Sequence, residues 1–201
     1  MTNKVIFWDF DGVIADTFTM CFAIASQIYP GISSPEYQAL FEGNINKTNP
    51  RQKPVGNIDF FAEFSKTLPG AALTSGIADV IATLSKTHTN VVVSSTISPL
   101  IDTYLTRQKI RHHFAEILGN DVAHSKVEKF KLAFKKHQTS ANYSVMITDT
   151  AGDIKEAKEV SIPVIGVTWG YHPHNSLLQA QPTAMVHTTQ ELLQAILKTL
   201  P

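Results

Sequence analysis

The chain has one cysteine among 201 residues, so Cys21 cannot close an intramolecular disulfide and the fold must rest on packing alone. A lone cysteine among apolar neighbours reads as a small buried hydrophobe rather than a nucleophile. Net charge is also lacking, because 17 Lys+Arg offset 17 Asp+Glu. No overall field draws in nucleic acid or an anionic membrane, so neither partner is expected, and any taste for an anionic substrate must come from a local site. There is no apolar run of ~20 residues that could span a bilayer, and no apolar N-terminal region with a cleavage site. The expected location is cytoplasmic. Internal repeats and low-complexity tracts are absent too.

Hydrophobic residues make up 43% of the chain, enough to fill the core of one domain, or of one domain with an insert. Apolar, β-branched runs predict strands over 5–9, 91–94, 116–118, 144–148, 164–168 and 184–187. Trp8 falls on the first and is expected in the core. Ile77, Val80, Ile81 and Leu84 have the spacing of a one-sided helix, as more loosely do Phe130, Ala133, Phe134 and His137. Helix starts are expected at Ser98-Pro99, with Ser98 as the cap, at Ser125 with Glu128, and at Thr188 with Glu191. Strands alternating with helices predict an α/β fold: a Rossmann-like parallel sheet covered on both faces, binding ligands beyond the carboxyl ends of its strands.

Residues 17–72 interrupt that alternation. Helical stretches over 17–29, 35–41 and 58–68 follow one another, the second opened by Ser33-Ser34-Pro35-Glu36 and the third capped by Asn57. The loop between them carries three cations, Lys47, Arg51 and Lys53, and no acid. The expected organisation is a catalytic core of residues 1–16 and 73–201 with a small inserted helical module, residues 17–72.

Four segments lie just past strands, where an α/β active site belongs. Asp9-Phe10-Asp11-Gly12 places two carboxylates at i and i+2, with a glycine whose backbone freedom lets N–H groups approach a phosphate; the same string also makes a plain turn. Asp149 and Asp153 stand one helical turn apart, a pairing that suits a hard cation such as magnesium, or that caps a helix. Ser94, Ser95 and Thr96 close a strand with hydroxyls able to meet a phosphate oxygen or to cap the next turn. Lys126, with Lys129 as its competitor, opens a helix where an ammonium could neutralise phosphate. His172-Pro173-His174 offers no nearby third ligand and reads as a loop bordering the site.

Taken in order, these segments resemble the four motifs of the haloacid dehalogenase superfamily: Asp9 and Asp11 the first, Ser94 the second, Lys126 the third, Asp149 with Asp153 the fourth. The string DFDGVIADT is similar to the phosphoglycolate phosphatase and β-phosphoglucomutase branches, and VIGVTWGY resembles the phosphatases more than the mutases. Two departures stand out: Thr148 where the family usually has glycine, and no proline after Lys126. The resemblance implies a phosphomonoester hydrolase acting on a small phosphorylated metabolite, with residues 17–72 as its cap. Asp9 is then the nucleophile and Asp11 the acid and base. The implied cofactor is Mg2+, with Asp9, Asp11 (through its carbonyl), Asp149 and Asp153 as the metal residues. Gly12, Ser94, Ser95 and Lys126 bind phosphate, and Arg51 and Lys47 are candidates for reading an anionic substrate group. The alternatives are a sugar phosphomutase of the same superfamily and a non-catalytic binding protein on the same fold.

Overall fold

The computed structural model describes residues 3–48 and 50–200. Its central sheet has six parallel strands: β1 (Val5–Trp8), β4 (Thr89–Val93), β5 (Phe114–Leu118), β6 (Ser144–Thr148), β7 (Val164–Val167) and β8 (Ala184–Val186), in the order β5-β4-β1-β6-β7-β8. Each expected strand is present, within one or two residues at its ends. β1 lies between β4 and β6, with Val5 opposite both Thr89 and Ser144. The chain steps outward from β1 through β4 to β5, then crosses back to β6, so the order reverses beside β1. A crevice opens there, beyond the carboxyl ends.

Alternation along β1 decides which face each side chain fills. Val5 and Phe7 pack with Phe130 and Ala133 of α6 (Lys126–His137) and with Ile154 and Ala157 of α7 (Ala151–Glu159). Ile6 and Trp8 point the other way, towards Ile77, Ile81 and Leu84 of α4 (Ile77–Leu84) and Leu192 and Ile196 of α9 (Thr189–Thr199). Trp8 is fully buried, and its indole N–H donates to Asn90 Oδ1 at 2.9 Å. That bond satisfies a polar atom that would otherwise be costly in the core.

The helix starts follow the expected chemistry with two shifts of position. Ser125 and Thr188 cap α6 and α9, accepting from Val127 N–H and Glu191 N–H. In α5 (Ser98–Arg107) the cap position belongs to Ile97 and Ser98 is already helical; its hydroxyl instead accepts Gly119 N–H at 3.0 Å. The cap of α3 (Phe60–Thr67) is Asp59 rather than Asn57, because the Asp59 carboxylate reaches the N–H groups of both Phe61 and Ala62. Two short strands went unforeseen. β2 (Ala15–Asp16) pairs antiparallel with β3 (Ala72–Leu73), and between them run α1 (Phe18–Ile28), α2 (Ser34–Ala39), a short 3-10 helix (Ile45–Lys47) and α3. α2 opens with a complete capping box between Ser33 and Glu36. α8 (His174–Gln179) joins β7 to β8. Among the described residues no helix is long and apolar enough to cross a membrane.

Candidate active site

β1, β4 and β6 deliver Asp9, Ser94 and Asp149 to the same crevice. Asp9 N–H continues the sheet by donating to Ile147 C=O at 2.9 Å. Its carboxylate Oδ1 accepts Phe10 N–H at 2.8 Å, and Oδ2 lies 2.9 Å from the Lys126 ammonium. Lys126 is buried, and its second partner is Asp153 Oδ2 at 2.6 Å. Thr148 explains its departure from the usual glycine here. Its hydroxyl donates to the same Asp153 oxygen at 2.7 Å and accepts Thr150 N–H at 3.2 Å, so a side chain takes up one turn of the loop.

Lys129, the competing lysine, is also buried, but its ammonium donates to Ser94 C=O at 2.6 Å. The two lysines are three residues apart on one face of α6, so both turn inward, and only Lys126 reaches the carboxylates. Burial, reinforced by the nearby Lys126 charge, lowers Lys129 to about 8.

Asp11 is held differently. Thr17 donates to its Oδ1 at 2.9 Å and Thr96 to its Oδ2 at 2.7 Å. The Thr17 hydroxyl has one proton and uses it on Asp11, so the Tyr171 hydroxyl, 3.0 Å away, donates to Thr17. Tyr171 and Thr17 escaped the sequence reading; they stand inside the strings that carried the family resemblance, but nothing in their type or spacing marks them as partners of Asp11, and Thr96, expected among the hydroxyls closing a strand, donates to Asp11.

Gly12 takes φ +73° in the tight turn after Asp11, and a Cβ there would collide with the Asp149 carboxylate. Its N–H donates to Ala15 C=O at 2.8 Å. Ser94 is buried and accepts Thr96 N–H at 3.0 Å, while Ser95 is half-buried at the edge of the site.

Electrostatics divide the carboxylates. Burial pushes Asp9 well above the usual range; Lys126 pulls it back, and Asp153 and Asp149 push further up. Burial likewise raises Asp149 to about 7, against the hydrogen bond from Tyr171 N–H. Asp153 is buried too, yet Lys126 and hydrogen bonds from Asp9, Lys126 and Thr148 lower it to about 2. Lys126 itself, penalised by burial, is held above its ordinary value by Asp153 and Asp9. One ammonium thus serves two carboxylates, Asp153 and Asp9, and Asp149 has no cation in contact with it. Asp11 is raised by burial, less so because Thr96 and Thr17 stabilise its charge.

The donor set accommodates a divalent ion. Asp149 is fully buried, its Oδ2 accepts Tyr171 N–H at 2.6 Å, and its Oδ1 has no hydrogen-bond partner. A buried carboxylate oxygen left bare is costly unless a cation meets it. Among the described residues no three His, Cys, Asp or Glu side chains are arranged as a ligand cage. Magnesium does not need one, since one or two carboxylates with water and phosphate oxygens suffice. The other carboxylates already have partners, Asp9 in Phe10 N–H and Lys126, Asp11 in two hydroxyls and Asp153 in Lys126 and Thr148, so Asp149 Oδ1 is the oxygen that most needs a cation.

Two hollows meet at Asp11. The inner one, about 50 Å³, is lined by Asp9, Asp11, Ser94, Ser95, Lys126 and Asp153, with Phe41 and Gly43 from the inserted segment closing over it. That segment is fastened to the start of α7. Gly152 N–H donates to Phe41 C=O at 2.9 Å, and a Cβ on Gly152 would strike Gly43 C=O. His172 is buried and bridges the two parts: Nδ1 accepts Ala151 N–H at 2.9 Å, so Nε2 carries the proton and donates to Gln38 C=O at 2.8 Å. His174 stacks on His187 instead, at 5.7 Å between ring centres. Lys47 and Arg51 are exposed and line neither hollow; Arg51 borders a separate depression with Pro35 and Glu36.

Residues 5–167 match the haloacid dehalogenase-like hydrolase family. The phosphoglycolate phosphatase of Synechococcus elongatus is 25% identical over 96% of this chain and 97% of its own length. That of Vibrio cholerae is 24% identical over the same shares. A haloacid dehalogenase-like hydrolase from Streptococcus pneumoniae superposes with a TM-score of 0.77 at 20% identity, covering 96% of this chain and 98% of that one. The fold, the order of the four motifs and these likenesses agree, and the chain belongs to the haloacid dehalogenase-like hydrolase family, as a phosphatase of its phosphoglycolate phosphatase-like branch.

Proposed function

We propose that this phosphatase is magnesium-dependent and cleaves small phosphomonoesters through a phospho-aspartyl intermediate on Asp9. The observation that carries the reading is the division of labour between two carboxylates facing one hollow. Asp9 pairs with the Lys126 ammonium in the inner hollow, whereas Asp11 is held by two threonine hydroxyls where the two hollows meet; burial raises both acids, so position and partners separate them. The acid beside the ammonium is placed to meet phosphorus, and the acid at the mouth of the outer hollow is placed to meet the departing oxygen.

An Asp9 oxygen forms a bond to phosphorus as the bond to the ester oxygen breaks, and Asp11 gives its proton to that departing oxygen. Water then adds to phosphorus, Asp11 takes up one of its protons, and Asp9 is released. Lys126 neutralises equatorial phosphate oxygens, Asp153, itself held by Thr148, keeps Lys126 in place, and Ser94 and Ser95 line the same hollow. A bound magnesium ion, held by Asp149, Asp9 and the Asp11 carbonyl, would supply the positive charge that lets a carboxylate approach a phosphate dianion. Phosphomonoester hydrolysis can require up to ~10²¹-fold acceleration, roughly 28 kcal/mol at 1.36 kcal/mol per decade, so nucleophile, acid and metal are all needed.

Residues 17–72 serve as a cap that keeps bulk water from the intermediate. This is supported by the Phe41–Gly152 and Gln38–His172 bonds and by Asn44 Nδ2 donating to Glu156 Oε1 at 3.0 Å. The test is hydrolysis of a chromogenic aryl phosphate by protein stripped with chelator and then given magnesium. Turnover restored by the metal supports the reading; turnover unaffected by chelator contradicts the metal, and none under any condition contradicts the activity.

A further inference from the structure

The outer hollow is about 310 Å³ and shares Asp11, Phe41, Ile45, Ser95 and Tyr171 with the inner one, so it opens on the side of Asp11. On the reading that Asp11 protonates the leaving oxygen, the alcohol half of the substrate must occupy it. Its wall is aliphatic and aromatic, from Ala25 and Ile28 of α1 through Tyr37 and Leu40 to Phe60 and Phe61 of α3. Among the described residues lining it there is no Lys, Arg or His, and the one charged group is Asp11.

Several polar groups in the wall are already committed. Thr48 donates to Leu40 C=O at 2.8 Å, Asn46 Nδ2 to His124 C=O at 2.8 Å, and Thr96 to Asp11. A carboxylate or second phosphate would enter with no cation to meet it. A sugar would lose water from its hydroxyls and find few side-chain partners, among them Ser95, the Asn46 amide oxygen and the Tyr29 and Tyr37 hydroxyls. A dry cavity of roughly 150 Å³ accepts benzene, and this one is larger, so it has room for a ring with a short linker.

We propose that the substrate is the phosphate ester of an apolar alcohol of about phenylethyl size, whose hydrocarbon part fills the cavity between α1, α3 and the 41–48 segment. This deepens the proposed function and rests on its assignment of Asp11.

The experiment compares kcat/KM for alkyl esters, so that leaving-group acidity does not dominate: 2-phenylethyl phosphate, ethyl phosphate, glucose 6-phosphate and phosphoglycolate, all with magnesium. Phenylethyl phosphate should exceed phosphoglycolate and glucose 6-phosphate by about 100-fold. That is about 2.7 kcal/mol at 1.36 per decade, the scale of burying one large apolar side chain. Ala25→Phe, which fills the cavity, should narrow the phenylethyl-to-ethyl ratio by about tenfold. Phosphoglycolate or glucose 6-phosphate turned over as well as the phenylethyl ester overturns the inference while leaving the phosphatase reading intact. If no ester is hydrolysed, the phosphatase reading fails, and calorimetric binding decides the cavity separately. 3-Phenylpropylphosphonate should bind about 100-fold more tightly than 3-phosphonopropionate, and equal affinities overturn the inference.

Discussion

Lys126 is the hinge of the site's electrostatics, and replacing it by methionine removes the ammonium while keeping most of the side-chain volume. In the intact protein Lys126 is the principal cause that lowers Asp153 from 3.8 to about 2 against burial. The folded value lies below the unfolded one, so this pairing stabilises the protein fully above about pH 4, and the contribution is lost as pH falls towards about 2. Nearly two units correspond to about 2–3 kcal/mol at 1.36 kcal/mol per unit. Breaking a buried ion pair from one side also strands its partner, and such deletions cost about 3–5 kcal/mol. Lys126→Met should therefore lower unfolding free energy by about 3–5 kcal/mol at pH 7 in metal-free buffer. The gap should narrow by about 2–3 kcal/mol as pH approaches 2, because protonated Asp153 no longer needs a partner. Urea titrations at several pH values, followed by the fluorescence of Trp8 and Trp169, measure both numbers. A loss under about 1 kcal/mol at pH 7, or a gap that does not change with pH, would refute the reasoning.

Three further outcomes follow from the same geometry. Asp149 is raised to about 7 and must lose its proton to hold a metal, so apparent magnesium affinity, read by thermal shift, should fall about tenfold per pH unit below pH 7. In chelator the sign reverses: a folded value above the unfolded 3.8 means Asp149's contribution to stability is complete below about pH 4 and declines as pH rises to 7. Thr148→Val removes the hydroxyl that holds Asp153, and one such bond contributes about 0.5–1.5 kcal/mol or somewhat more to a charged group. Steady-state kinetics should show kcat/KM on an aryl phosphate reduced roughly 2–15-fold, and no change would leave Asp153 to Lys126 alone. Gly152→Ala forces a methyl group against Gly43 C=O, so the 41–43 segment must move off α7. Turnover should fall at least tenfold with little loss of thermal stability, and wild-type turnover would show that this contact does not shape the site.

The sheet was legible because its strands are continuous β-branched runs bounded by turn residues, the signature of burial on both faces. The ends of the helices were legible where a hydroxyl or carboxylate could reach a free N–H; the Asn57 reading slipped because Asp59 serves instead, and the Ser98 reading because its hydroxyl is spent on Gly119 N–H. β2 and β3 were not legible: two-residue strands have no periodicity, and the paired residues Asp16↔Ala72 and Ala15↔Leu73 are far apart along the chain and meet only through tertiary closure. In the site, Asp9, Asp11, Asp149 and Lys126 stood out because charged residues just past apolar strands are rare without a purpose. The choice between Lys126 and Lys129 was not legible, since both lie on the buried face of α6 and only three-dimensional reach separates them. Arg51 and Lys47 were read from charge alone, and charge does not say which way a loop faces.

The central claim is that Asp9 carries the phosphoryl group. It is tested most directly by mixing the magnesium-loaded protein with excess aryl phosphate, quenching in acid, trapping the acyl phosphate with borohydride and sequencing the peptides by mass spectrometry. The account predicts conversion of Asp9, and of no other aspartate, to homoserine, with none in the Asp9→Asn variant. Active enzyme that yields no trapped residue, or trapping at Asp11, Asp149 or Asp153, would contradict it.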